Sequence, residues 1–249
     1  MYTRMRDAIA MIELIFAIVI LGVVMMSAPT LISTASKSSF VALQQESIAT
    51  VAAEIGMVLT HHWDEEDTNE TRSAPILAAS GDGDLNETNA SGTLFTGRRA
   101  GTPASSKRSF LDSIGERHSA TASSDLGSDG GDQDDIDDFI TTGAGGGSGL
   151  SQAESTGSKD ADIVDKDIVL TTKVVYISDI PTSGSYLGSA TTLKLNDPLN
   201  TPAPNDTSNI KHIEVRLTTN SKESELEKNI VMHAFSCNIG TYELNSRSF

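Results

Sequence analysis

Two adjoining stretches at the start of the chain decide its fold: Met1–Ala8, with the sequence MYTRMRDA, and Ile9–Ala28, with the sequence IAMIELIFAIVILGVVMMSA. The first stretch is short, polar and basic. The second matches the roughly 20 apolar residues that an α-helix needs to cross the hydrocarbon core of a membrane. Its only charged side chain is Glu13, near its start. Together the two stretches predict one N-terminal transmembrane helix.

Three simpler readings of the apolar stretch compete with a specialised one. A secretory signal peptide should end in a small-x-small cleavage site, but this stretch ends Met26-Ser27-Ala28-Pro29, and no cysteine follows it as in a lipoprotein. An ordinary anchor leaves Glu13 unexplained, because a carboxylate inside a membrane costs about 2.5–3.5 kcal/mol on insertion scales. A buried core helix fits poorly with the length of the stretch and its basic flank.

The octapeptide AIAMIELI, residues 8–15, resembles the prepilin processing signal of type IV pilins and type II secretion pseudopilins. The resemblance implies that a prepilin peptidase cleaves after Ala8 and that Ile9 becomes the N-methylated first residue of the mature chain. Glu13 then matches the family's glutamate at the fifth mature position. Ile9 departs from the usual phenylalanine, and Asp7 stands where a neutral or basic residue is commoner.

The family resemblance also implies partners and a location. Glu13 is expected to pair with the free amino group of Ile9 on a neighbouring subunit, because neither charge is stable alone among apolar helices. The expected partners are other pilin or pseudopilin subunits, the prepilin peptidase and the inner-membrane assembly machinery. The resemblance further implies a single pass through the inner membrane with a periplasmic head, followed by transfer into an extracytoplasmic filament.

A second helical pattern follows Pro29, where many family members bend this helix. Its stripe recurs at steps of three or four residues and is widened by Ile48 and Val58. We therefore expect one long bent helix over residues 9–62, with residues 9–28 in the membrane or filament core and the remainder packed under a head. The stripe consists of Phe40, Leu43, Ser47, Val51, Ile55 and Leu59.

Composition limits the classes of function. The net charge is −16 and no basic stripe is present, which argues against a nucleic-acid partner. Hydrophobic residues make up 38% of the chain and are scarce in its middle, so the core is expected to come from the two ends. The single cysteine excludes an intramolecular disulfide, and its place in an alternating apolar pattern predicts that Cys237 is buried on a strand.

The middle of the chain, residues 63–162, is rich in Gly, Ser, Thr, Asp and Asn and predicts long acidic loops with short elements. Apolar pairs that interrupt it include Leu94-Phe95, Phe110-Leu111 and Phe139-Ile140.

Two groups in this middle region suit cations. Clustered carboxylates are ligands that Ca²⁺ prefers, although their spacing is not that of an EF-hand and a solvated acidic loop is the alternative. His61-His62 beside Asp64–Asp67 is a further metal candidate, although adjacent histidines point apart on a helix. Short segments here, Trp63–Glu65 and residues 134–139, also resemble minor pilins of the mannose-sensitive haemagglutinin type. The candidate calcium ligands are Asp132, Asp134, Asp135 and Asp137.

The last part of the chain, residues 163–249, carries the alternation typical of half-buried strands. Four strands are expected, around Ile168–Tyr176, Leu193–Leu195, Lys211–Leu217 and Ile230–Ile239. Turn residues and no helices separate them, so they predict an antiparallel sheet covered by the long helix. The expected fold is α+β and pilin-like.

No phosphate-binding glycine loop and no zinc spacing are found, so the sequence predicts a protein that is not an enzyme and needs no cofactor. The leading interpretation is a structural subunit, a minor pilin or pseudopilin of a type IV pilus-like or type II secretion filament. The alternative is a membrane-anchored periplasmic receptor or adhesion module that binds a surface, DNA or cations through its acidic loops.

Overall fold

A computed structural model describes residues 3–68, 75–90, 94–103, 105–106, 108–127, 133–141, 167–189, 191–197, 199, 205–220 and 227–240. For residues 3–10, 88–90, 94–96, 167–168 and 220 it describes the backbone alone. Asp132, a candidate calcium ligand, lies outside the described residues. The chain divides into two compact units, residues 1–48 and 49–249, and each is described by itself.

Helix α1 runs over Thr3–Val58, and the larger part of it forms the first unit. The helix begins before the predicted start at Ile9 and ends four residues before the predicted end at residue 62. Pro29 lies inside it, and the hydroxyl groups of Ser27 and Thr30 donate to the carbonyls of Val24 and Ser27, at 3.0 and 2.7 Å. The bend at Pro29 stays a prediction.

Apolar side chains of the first unit are exposed all around the helix. Phe16 is 63% exposed and Met26 is 81% exposed. Such a helix is typical of a membrane span or of a segment buried in a larger assembly, because water would otherwise solvate a large apolar surface.

The second unit contains a short ribbon and a three-stranded sheet, both antiparallel. Strand β1, Glu87–Ala90, pairs with β2, Leu94–Arg99. Strands β3, Asp167–Tyr176, β4, Ile210–Asn220, and β5, Asn229–Cys237, form the sheet in the order β3-β4-β5. A central β4 with two antiparallel neighbours gives the unit one continuous apolar face.

Alternating residues of β3 and β4 build the core of this unit, as the sequence predicts. Val174 and Tyr176 of β3 and Ile213 and Val215 of β4 are buried on the same face. In the same core lie the last turns of α1, through Val51, Ile55 and Val58. The structure is therefore an apolar N-terminal helix combined with an antiparallel sheet, a coarse α+β layout.

The prediction of a strand at Leu193–Leu195 is wrong. Lys194 makes only an isolated bridge with Ser183, and both leucines are exposed. Two alternating leucines bury too little apolar surface to fix a strand against the core.

The prediction that Cys237 is buried is also wrong, because the thiol is free and exposed. Cys237 lies on the face of β5 turned away from the core. The core-facing positions are Ile230, Met232 and Ala234, which pack against the buried cluster.

The core does not come from the two ends alone. Short irregular segments of the middle region supply buried apolar side chains between turns and 3₁₀ helices, among them the 3₁₀ helix Asp137–Phe139. Isolated apolar residues among polar ones have no helical or strand period, so the sequence pattern does not reveal them. The core residues of this region are Trp63, Leu77, Ala120, Leu126, Ile136, Phe139 and Ile140.

Candidate functional site

The predicted processing and assembly residues lie on the first turns of α1. Ala8 and Ile9 have helical backbone, and their side chains lie outside the described part of the structure. Glu13 is exposed, and it makes no hydrogen bond or ion pair with any residue whose side chain is described. The structure therefore presents this carboxylate on a bare apolar helix.

Within the described residues, one helical stretch, Met11–Val58, is long and apolar enough to cross a membrane. Its most apolar window has a mean hydropathy of 2.5 and none of that window is buried inside the protein. A signal sequence near an N-terminus can have the same length and composition. Length and composition therefore identify this stretch as either a membrane span or a signal sequence.

The second unit contains an unusual polar site, built around Lys211. This residue stands on the core face of β4, in line with Ile213 and Val215, and its side chain is 0% exposed. Its ammonium group donates to the carbonyl oxygen of Trp63 at 2.7 Å, to Asp64 Oδ2 at 3.0 Å and to Asp137 Oδ1. All three of its protons therefore have an acceptor.

Aromatic rings close this site against water. The Lys211 ammonium lies 4.7 Å from the centre of the Trp63 ring and 5.7 Å from that of the Tyr176 ring. Both aromatic residues are buried, so the rings add cation–π attraction and a low local dielectric.

Asp64 lies six residues beyond the end of α1 and is held by several hydrogen bonds. It accepts hydrogen bonds from the backbone N–H of Thr121, at 3.1 Å, and from the Thr121 hydroxyl, at 2.8 Å. The Tyr176 hydroxyl donates to the Thr121 carbonyl at 2.8 Å and lies 3.3 Å from Asp64 Oδ2. Asp64 therefore joins the end of α1, the middle region and the sheet.

The predicted calcium ligands form a different structure, a tight turn whose carboxylates bind backbone N–H groups. Asp135 Oδ1 accepts from the N–H groups of Asp137 and Asp138, and Asp138 Oδ2 accepts from those of Asp134 and Asp135. Asp137 Oδ2 accepts from the N–H of Gly127 at 3.0 Å. The expectation of a solvated acidic loop is wrong for Asp135, Asp137 and Asp138, which are buried.

We name five buried carboxyl groups and one lysine the buried acidic cluster: Asp64, Asp67, Asp135, Asp137, Asp138 and Lys211. Only Lys211 in it carries a permanent positive charge, so the carboxyl groups cannot all be ionised cheaply.

Burial and neighbouring charges shift the pKa values of the cluster. Burial, with Asp137 adding to it, raises the pKa of Asp135 to about 9. Burial likewise raises the pKa of Asp67 to about 6, although His62 opposes the shift. Burial lowers the pKa of Lys211, but Asp137 and the other carboxylates outweigh it and hold that pKa above its usual value.

Two carboxyl oxygens of the cluster accept no hydrogen bond from any described residue. Asp67 Oδ1 still lies 3.2 Å from His62 Nδ1, whereas Asp135 Oδ2 is buried without such a neighbour among the described residues. A neutral, protonated Asp135 fits both this isolation and its raised pKa, because an unpaired buried anion is far costlier than a buried acid.

A second group of titratable residues has the residue types of a metal site. The ligand atoms of Asp112, Glu116 and His118 lie within 4.8 Å of one another. The ring nitrogens of His118 already face Asp112 Oδ2, at 3.2 Å, and Glu66 Oε2, at 3.0 Å. The hydrogen bond to Asp112 raises the pKa of His118. A proton on His118 therefore accounts for these contacts as well as a metal ion would.

The other predicted metal candidates do not assemble. Among the described residues, the only set of three ligand atoms close enough for one ion is that of Asp112, Glu116 and His118. This set includes neither the described calcium candidates, Asp134, Asp135 and Asp137, nor the His61-His62 pair. His62 Nδ1 instead lies 3.2 Å from Asp67 Oδ1.

A shallow groove of about 450 Å³ lies between the end of α1 and strand β5. Its lining includes His61, Trp63, Phe235 and Cys237, and the Trp63 indole donates to the Ser236 carbonyl at 3.3 Å. Polar groups line the same groove, among them His62 and Asp67, whose Nδ1 and Oδ1 lie 3.2 Å apart.

Sequence reasoning placed Lys211 on a strand but missed its role. The signal was present, because Lys211 shares the apolar face of that strand with Ile213, Val215 and Leu217. A lysine in a core-facing position requires buried carboxylates, and the dense aspartates of the middle region are the available ones.

Neither known protein families, nor curated proteins, nor solved structures include a match to this chain.

Proposed function

We propose that this protein is a non-catalytic structural subunit, a minor pilin or pseudopilin, processed after Ala8 and assembled into a filament through its N-terminal helix. The observation that carries the proposal is the helix itself. It exposes an apolar surface on every side and interrupts it with one carboxylate, Glu13, near the start. A partner that is apolar and supplies one positive charge would satisfy both features.

The second unit supports the same proposal. The last turns of α1, through Val51, Ile55 and Val58, belong to the core of the second unit, so the helix that carries the apolar segment also contributes to a folded head.

The buried acidic cluster argues against cation binding through the aspartates of residues 134–138. The carboxylates of Asp135, Asp137 and Asp138 accept backbone N–H groups or contact Lys211, and little of them reaches the surface. The receptor alternative therefore loses Asp135, Asp137 and Asp138 as a binding surface.

The first test is the N-terminal sequence and mass of the chain purified from membranes. We expect a mature chain that starts at N-methylated Ile9. An intact segment 1–8 on the membrane-bound protein contradicts processing and leaves an ordinary anchor with a periplasmic head.

The second test separates anchoring from assembly. Glu13→Leu should insert in the membrane as well as the parent protein, because it removes a charge from the span. It should be depleted from sheared or purified filaments, since the pairing charge is gone. Glu46→Gln, on the same helix outside the apolar stretch, is the matched control. Equal recovery of Glu13→Leu and the parent in filaments contradicts the proposal.

A further inference from the structure

The closest contact between oppositely charged groups in the buried acidic cluster joins a primary amine to a carboxyl group inside a dry pocket. Lys211 and Asp137 are in contact through Nζ and Oδ1, and both side chains are buried. Such a pair is usually a salt bridge. Its surroundings here also satisfy the requirements of a condensation reaction.

We propose that Lys211 and Asp137 join covalently, through an amide bond between Lys211 Nζ and Asp137 Cγ, with the release of one water molecule. The bond would link β4 to the 3₁₀ helix Asp137–Phe139. This is a modification site within the head, and it is independent of the proposed assembly function.

The reaction balances without any added reagent. The ammonium of Lys211 and the carboxylate of Asp137 together hold the atoms of a neutral amine and a neutral acid. Nζ attacks Cγ, the C–N bond forms, and the C–OH bond of the acid breaks. One proton from Nζ and the leaving hydroxyl form the water, and the amide nitrogen keeps its last hydrogen.

The neutral pair can form within the contact itself. Lys211 Nζ donates to Asp137 Oδ1, so the shared proton can move to Oδ1 and leave a neutral amine beside a neutral acid. Burial raises the pKa of the neighbouring Asp135 to about 9, so this side chain adds no negative charge to the pocket at neutral pH.

Two further features favour the forward reaction. The backbone N–H of Gly127 donates to Asp137 Oδ2 at 3.0 Å, where negative charge develops when Cγ becomes tetrahedral. The fixed contact of amine and acid replaces a bimolecular encounter, which is worth a large factor in rate. The rings of Trp63 and Tyr176 exclude the water that would reverse the step.

The structure favours Asp137 over Asp64 as the partner of Lys211. The Asp64 carboxylate already accepts the N–H and hydroxyl of Thr121 and lies against the Tyr176 hydroxyl. These donors stabilise the anion and oppose its conversion to an amide. Asp137 has one backbone donor on the oxygen that becomes the amide oxygen.

Trypsin digestion of the full chain, purified in detergent and denatured before digestion, tests the bond. Trypsin cannot cleave after an acylated lysine, so Lys211 stays inside residues 195–216. We expect this peptide joined to residues 118–159, which contain Asp137, with a mass one water below their sum. Fragment ions should place the branch at Asp137.

Two outcomes of the digestion overturn the proposal. Free peptides 195–211 and 212–216 would show an unmodified lysine. A branch joined to residues 38–72 would assign the bond to Asp64.

Digestion of the parent protein shows whether the bond exists, so the test does not depend on the stability of any variant. Variants then show which residues form the bond. Lys211→Arg keeps the charge but cannot condense, so the branched peptide should vanish. Lys173→Arg, at an exposed position of β3, should keep it.

Discussion

The two units of this chain distribute polarity in opposite ways. The helix of the first unit exposes its leucines, isoleucines and valines, whereas the second unit buries a lysine and several aspartates. A globular protein in water normally does the reverse in both respects. The first unit therefore needs a surrounding that is not water, and the second must neutralise its charges internally.

The difference shows where each unit gets its stability. The helix depends on its environment, because no other part of the first unit covers its exposed apolar side chains. The head depends on an internal balance of charge, in which Lys211 offsets Asp64 and Asp137 and protons offset the remaining carboxyl groups. Perturbing each unit should consequently produce different kinds of failure.

The largest expected effect is on the head, from Lys211→Met. The variant leaves Asp64 and Asp137 buried without Lys211, whether as their cation or as the amide partner of Asp137, which should lower the free energy of unfolding by about 3–5 kcal/mol. Denaturant unfolding of the full chain in detergent, followed by Trp63 fluorescence, measures it. Lys173→Met at an exposed site is the control, and equal stability of the two variants contradicts the charge balance.

A charge placed in the helix should act on membrane insertion and leave the head intact. Val19→Arg should cost about 2.5–3.5 kcal/mol of insertion free energy. Alkaline extraction of membranes should release more of this variant than of the parent. Ser36→Arg, beyond the apolar stretch, should behave like the parent, and equal retention of all three proteins contradicts the assignment of the span.

The pH dependence of head stability should be that of buried acids. The folded pKa of Asp135, about 9, and that of Asp67, about 6, both exceed the unfolded value near 4. The folded state therefore binds more protons at these two groups, so their contribution to stability is fully present below about pH 4 and is lost as pH rises through these values.

The slope for each such group is at most about 1.4 kcal/mol per pH unit. Denaturant midpoints measured from pH 4 to pH 9 should fall, and Asp135→Asn should flatten the part above pH 6. A midpoint that rises with pH across this range contradicts a protonated Asp135.

The smallest effect is expected at Cys237, on the outer face of β5. Cys237→Ser should change the free energy of unfolding by no more than about 0.5 kcal/mol, because the thiol fills no part of the core. The folded parent should react readily with a maleimide, although more slowly than the denatured chain, because partial burial raises the pKa of the thiol. Strong protection of the thiol in the folded protein would contradict the exposed position of Cys237.

Regular elements with a complete period were predictable from the sequence. The stripe through Val51 and Ile55 predicts the packed end of α1, and alternation predicts β3 and β4. The pattern failed where burial does not follow a period. Cys237 lies in an apolar alternation on the outer face of its strand, and Leu77 is buried from an irregular segment.

The polar site was less predictable than the fold. An aspartate run has the same composition whether it is solvated or folded inward, so Asp135 and Asp137 give no local signal of burial. Only the position of Lys211 on an apolar face indicates a buried cation. Its partners lie 147 and 74 residues away along the chain, at a distance that no sequence window covers.

One hydrogen-bonded side chain has a consequence for the order in which the head folds. Asn238 accepts from the N–H of Leu77 and donates to the Leu77 carbonyl, so its amide acts as a neighbouring strand across a separation of 161 residues. Trp63 and Ser236 are linked over 173 residues. Contacts this distant form late, because the entropy of closing a long loop precedes any gain from them. We therefore expect the head to close only after β5 has been synthesised, and a chain that ends before Asn238 should remain sensitive to proteolysis.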